Sequence, residues 1–205
     1  MGALGSATDT NAPDAPTTIR ETPAWQKALT QAGFRYIVEQ QADGTWQLNL
    51  NKQNITDLTI LRGASISGLW LEDTPVSDLG PLHGMPLTYL EIGRTRVTDL
   101  SPLAGMDLQN LQMSRTAVTD LLPLRGMPLR DLSLMGCTNL TEIGPLEGMT
   151  TLERVILPRT AKHFEFLRNN TNLERVSFRY RQGDGPAQTA AEFWAAQDQS
   201  APAKP

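Results

Sequence analysis

The sequence predicts an α/β solenoid, a stack of short coils that each lend one strand to a parallel sheet. Three observations carry that expectation. The 205-residue chain holds 28 leucines, and 26 of them fall between Leu48 and Leu173. The pair Gly-Met recurs at Gly84-Met85, Gly105-Met106, Gly126-Met127 and Gly148-Met149, at spacings of 21, 21 and 22. Pro81, Pro102, Pro123 and Pro145 keep the same register, as do Asp57, Asp78, Asp99, Asp120 and Glu142. Self-similarity at a fixed period marks a fold whose units bury their apolar side only against their neighbours.

Taken in order, residues 1–21, rich in Ala, Thr, Asp and Pro, read as a disordered linker or tag. Residues 22–52 read as a cap for the first coil. Thr22-Pro23 suits an N-cap and first helical position. The helix is expected from Pro23 to about Ala32, with Trp25, Ala28 and Leu29 on one face and Gly33 as its stop. Asp43-Gly44 then lies between Phe34–Gln40 and Thr45–Leu50, which is a hairpin signal.

Residues 48–180 carry the repeats. Each unit follows L-x-x-L-x-L-x-x-T-x-V, as in Leu87, Leu90, Ile92, Thr95, Val97 and again in Leu108, Leu111, Met113, Thr116, Val118. This is the leucine-rich repeat pattern. Strand centres fall at Leu48, Leu69, Leu90, Leu111, Leu132, Val155 and Val176, so about seven parallel strands are expected. Five of the six intervals are 21; the one from Leu132 to Val155 is 23, with extra residues near Asn139 and Thr150. The Thr of the pattern, at 74, 95, 116 and 160, turns inward to bond backbone left unpaired where the chain leaves the strand. Cys137 takes the same rung and reads as a buried ladder residue. The Asp of each T-D-L-x-P-L run reads as a cap, and the Pro fits the first turn after it. Only about 15 residues join successive strands, which favours 3₁₀ turns over full helices. The last coil, with Phe164, Phe166 and Leu167, has room for a longer helix. In residues 181–205, Thr189 and Glu192 form a capping box. The short helix it starts brings Phe193 and Trp194 over the last coil, and 199–205 reads as a loose tail.

Composition excludes several classes. Eighteen Lys plus Arg against 22 Asp plus Glu give a net charge of −4, which argues against nucleic acid as a partner. No stretch approaches the roughly 18–20 apolar residues of a membrane span. One cysteine forbids an intrachain disulfide, and two histidines leave little for a metal site or a triad. His83 shares its register with Ala104, Arg125 and Glu147, and reads as a surface residue. The five acidic residues in register give one carboxylate per coil, where a calcium loop needs several converging. No phosphate-binding glycine loop or nucleophile elbow occurs, and Met1-Gly2 meets the loose lipidation pattern only weakly. There is no charged n-region followed by an apolar h-region. A non-catalytic chain without cofactor or metal is expected, and a monomer.

The runs Val97-Thr-Asp-Leu-Ser-Pro-Leu-Ala-Gly-Met and Val118-Thr-Asp-Leu-Leu-Pro-Leu-Arg-Gly-Met resemble the leucine-rich repeats that follow the kinase domain in some bacterial serine/threonine protein kinases, and that also occur free-standing. Ala190-Ala-Glu-Phe-Trp194 resembles the short ending of those regions. The resemblance covers about 48 to 196. The family's strands more often carry Cys where this chain has Ile92 and Met113. The D-x-x-P-L turn is also similar, less closely, to internalin repeats. The resemblance implies an interaction or sensor module. It implies no kinase activity here, because the kinase glycine loop, strand lysine and H-R-D are absent.

Binding is expected on the outward residues of the sheet. Position three of the repeat reads Gly68, Tyr89, Asn110, Asp131, Arg154, Arg175; position five reads Asn49, Trp70, Glu91, Gln112, Ser133, Ile156, Ser177; position eight reads Lys52, Asp73, Arg94, Arg115, Gly136, Arg159, Tyr180. Exposed aromatics with Arg are the residue types that anchor protein interfaces. The expected partner-binding set is Trp70, Tyr89, Glu91, Arg94, Asn110, Gln112, Arg115, Arg154, Arg159 and Arg175. The partner expected is a protein, acidic or of mixed charge. The competing expectation is that these Arg side chains pair with Asp73, Glu91 and Asp131 and bind nothing. A regulatory region of a kinase encoded upstream is the alternative function.

Overall fold

The computed structural model describes residues 22–180 and 185–200. Its sheet has eight strands in the order β1 to β8: β1 Ile37–Gln40, β2 Trp46–Asn49, β3 Ile66–Trp70, β4 Tyr89–Glu91, β5 Asn110–Gln112, β6 Asp131–Ser133, β7 Arg154–Ile156 and β8 Arg175–Ser177. β1 pairs with β2 antiparallel, and every later pair is parallel; β2 and β3 shift register by a bulge between Trp46 and Gln47, and from β3 on the pairs stay in register, Leu69 to Leu90 to Leu111 to Leu132 to Val155 to Val176. The chain is thus a leucine-rich repeat solenoid: seven parallel strands, with a hairpin strand added at the front. The ladder side chains are buried from Leu48 to Val176. Each removes enough apolar surface from water to contribute about 1.5–3 kcal/mol.

Six short 3₁₀ turns lie between the strands, among them Gly80–Leu82, Ser101–Leu103 and Leu122–Leu124. The in-register aspartates stand ahead of them. Asp57, Asp78, Asp99 and Asp120 each accept a hydrogen bond from the backbone N–H two residues on, at 2.7–2.8 Å. These bonds hold the carboxyls of Asp57 and Asp99 below their ordinary range. Glu142 departs from the row. Its backbone bridges to Lys162, and among the described residues no metal-holding cluster forms. The last turn, Glu165–Asn169, is longer than the others but still 3₁₀.

The inward rungs behave as their hydroxyls dictate. Thr74, Thr95 and Thr116 donate to the carbonyls of Leu71, Ile92 and Met113, at 2.7–2.9 Å. Thr160 reaches instead to Leu140 in the preceding coil. Cys137 is fully buried, and its Sγ donates to the Met113 carbonyl at 3.1 Å.

The ends are closed as well. Helix α1, Ala24–Gln31, buries Trp25 and Leu29, and Trp25 meets Trp46 edge to face at 5.9 Å. Pro23 rather than Thr22 is the N-cap, and no side chain caps the helix. Helix α2, Ala190–Ser200, begins with the reciprocal Thr189–Glu192 bonds of a capping box and runs past the expected start of the tail. Phe193 is buried against Phe164 and Phe178. Residues 1–21 and 201–205, expected as linker and tail end, lie outside the described residues.

Candidate functional site

The outward residues of the sheet's middle strands line a hollow of about 670 Å³. Seven of the ten residues expected from the repeat register line it: Tyr89, Glu91, Arg94, Asn110, Gln112, Arg115 and Arg154. Glu72, Asp131, Tyr180 and Pro186 line it too. Trp70 stands behind Tyr89, and the two rings stack at 4.5 Å. Gly68 makes the stack possible. A Cβ there would lie 3.0 Å from the Trp70 ring.

The position-eight row has an unusual backbone. Lys52, Asp73, Arg94 and Arg115 have φ of 56–60°, and Gly136 follows at 73°. The left-handed region costs a residue with a Cβ about 1–2 kcal/mol. Here the coil supports it with backbone bonds that extend beyond the strand: Lys52 to Glu72, Asp73 to Gly93, Arg94 to Ser114 and Arg115 to Met135, at 2.8–2.9 Å. Position seven of the next coil is Pro158, whose carbonyl accepts from Ala161 within its own turn. Arg159 lacks the positive φ of its row, is exposed, and does not line the hollow; the Arg179 carbonyl, which its register would pair it with, accepts from Ala187 instead.

The arginines fall into two groups. Arg94 and Arg115 are exposed, and neither has an ion-pair partner among the described residues. Arg154 instead forms a two-pronged pair with Asp131, whose side chain is only 14% exposed. Arg175 turns away from solvent and donates twice to the Pro186 carbonyl, at 3.0 and 2.8 Å. Arg175 therefore holds the chain's own C-terminal segment. The expected pairing of arginine with acid is met at Arg154 and not at Arg94 or Arg115.

The acidic residues sit on the other flank. Glu91 receives a 3.5 Å contact from Asn51, and its carboxyl is pushed above its ordinary range, chiefly by burial and also by Glu72. Tyr89 is likewise pushed up by burial, with Glu91 adding to it.

The repeat register did not foresee that part of the concave face is already covered. Tyr180 reaches across three strands to donate to Gln112 at 2.8 Å. Ala187 donates to Ser177 Oγ and to the Arg179 carbonyl. Ser133, Ile156 and Ser177, outward by register, are buried. The available signal was Ile156, the one aliphatic side chain in the position-five row.

No family model and no curated protein matches the chain. Among solved structures, it is similar to internalin C2 of Listeria monocytogenes, with 33% identity, a TM-score of 0.51, and cover of 53% of this chain and 50% of that one. It is also similar to another internalin of that organism, inlF, at 22% identity and a TM-score of 0.51, covering 63% of this chain and 46% of that one. The chain spans about half the length of these structures, and the likeness supports the leucine-rich repeat fold.

Proposed function

We propose that the chain is a non-catalytic module that binds a protein partner on the concave face of its repeats. The observation that carries this reading is the hollow over β4 to β6, where Arg94 and Arg115 stand without ion-pair partners among the described residues, beside the stacked Trp70 and Tyr89. Arg and aromatic side chains are the types that anchor protein interfaces. The similarity to internalins, which are repeat proteins of this kind, supports the same reading. The test is to capture a partner from the native cell, then measure its affinity for a chain with Arg94, Arg115 and Tyr89 all changed to Ala. A loss of tenfold or more is expected, about 1.4 kcal/mol. Unchanged affinity would remove the concave face from consideration.

A finer reading makes the module the sensor region of a bacterial serine/threonine protein kinase. It is supported by the Ala190-Ala-Glu-Phe-Trp194 ending, whose Phe193 and Trp194 pack on Phe164 of the last coil. A kinase domain in the reading frame upstream of Met1 is the expected finding, and its absence would leave a free-standing module.

A further inference from the structure

We propose that the partner inserts a short, extended acidic segment into the concave hollow, with one carboxylate held between Arg94 and Arg115. The inference rests on the concave-face reading and specifies the chemistry it accepts. Charge complementarity carries it. Among the described residues, Arg154, which lines the hollow, pairs with Asp131, and Arg175, outside the hollow, donates to the Pro186 carbonyl. Arg94 and Arg115 line the hollow without an ion-pair partner among the described residues, although Glu72 and Glu91 line it too. Burial and Glu72 raise the Glu91 carboxyl, and no arginine relieves it.

The two guanidinium groups arise from equivalent positions on neighbouring coils, about 4.8 Å apart along the stack. That spacing lets both converge on one carboxylate, and charge-assisted bonds of this kind are the stronger ones. Their setting is specialised. Both residues occupy left-handed backbone where Gly136, in the same row, has no such cost. Gly136 also makes room, because a Cβ on it would lie 2.9 Å from Arg115 Cγ.

The size of the hollow selects the shape of the occupant. It runs from Tyr89 on β4 to Arg154 on β7, three strand spacings or about 14 Å. An extended chain covers that span with about four residues at roughly 3.3 Å each. Tyr180 and Pro186 close its far side. A loop or tail fits this space. The end of the segment beside Glu72 and Glu91 is neutral or basic.

The test uses the full chain and a fluorescein-labelled peptide with four consecutive glutamates between glycine–serine flanks, followed by fluorescence anisotropy. Because the whole chain carries a charge of −4, general electrostatics oppose this probe, and binding reports a local site. Binding is expected below about 1 mM, weakening as salt is raised. The same peptide with glutamines is expected to bind about tenfold more weakly, as is the Arg94→Gln/Arg115→Gln chain toward the glutamate peptide. Arg125→Gln, on an exposed turn, leaves binding unchanged. If the glutamine pair impairs folding, Arg94→Gly/Arg115→Gly removes both charges on a backbone that suits glycine. No binding, equal binding of the glutamine peptide, or full binding by both double variants overturns the proposal. A partner that cross-links to the concave face while the glutamate peptide fails to bind overturns this proposal alone and leaves the concave-face reading standing.

Discussion

Across β3 to β5 the outward position-five side chains, Trp70, Glu91 and Gln112, remain half-exposed; across β6 to β8 the equivalent Ser133, Ile156 and Ser177 are buried. The repeat is the same in both halves. What differs is the C-terminal segment, which Arg175 and Tyr180 fasten over the second half through Pro186 and Gln112. Arginine in a repeat register therefore has no fixed role. It tethers the chain's own backbone at 175, pairs with an acid at 154, and has no ion pair among the described residues at 94 and 115. The pattern sets where a side chain emerges, and contacts distant in sequence set what it does.

Five substitutions probe that contrast. The largest effect is expected from Arg175→Ala, which deletes two charge-assisted bonds to a carbonyl. A loss of about 1.5–3 kcal/mol in chemical denaturation is expected, with faster amide exchange at Ala187. A neutral result would mean that the segment is held by other contacts. Gly136→Ala comes next. It forces a Cβ into left-handed backbone and against Arg115, at a cost of about 1–2 kcal/mol, and it weakens partner binding by displacing that side chain. Arg154→Ala removes an ion pair whose arginine side chain is 45% exposed, so only about 0.5 kcal/mol is lost, and less in high salt.

The sign reverses at Arg115→Gly. Relief of about 1–2 kcal/mol of backbone strain exceeds glycine's extra entropy of about 0.5–1 kcal/mol, so the melting temperature rises slightly while binding falls. The same change at Arg154, outside the left-handed row, gains nothing. The smallest effect belongs to Glu91→Gln. A carboxyl with a raised folded pKa binds its proton more readily in the native state, so its ionised form costs stability above that pKa. The variant is therefore slightly more stable at neutral pH. The advantage fades as the pH falls through the folded pKa toward the unfolded value of 4.5, which parallel melts across pH will show.

Much of this was legible in the residues. Period fixed the strand centres, because a leucine that slips by one residue faces solvent. The aspartate bonds to the first turn residue, the inward threonines and the buried Cys137 followed from what those groups need on leaving a strand, although the N-cap itself is the leucine after each aspartate. The capping box at Thr189 and Glu192 was equally readable, since both partners are local. Contacts between distant positions were not. Nothing in the repeat announces that Tyr180 bonds to Gln112, 68 residues earlier. Nor does it reveal that Arg159 leaves the position-eight row, where the Arg179 carbonyl of its register accepts from Ala187 instead. Glu142 missed its cap because it is not the aspartate that the other turns use.

The central claim is that the concave face, and not the turns opposite it, meets the partner. The most direct measurement places a photo-reactive amino acid at Asn110, on the open half of the sheet, and in a second chain at Arg125, on an exposed turn. The account predicts that a captured partner cross-links from position 110 and not from 125. Cross-linking from 125 alone would contradict it.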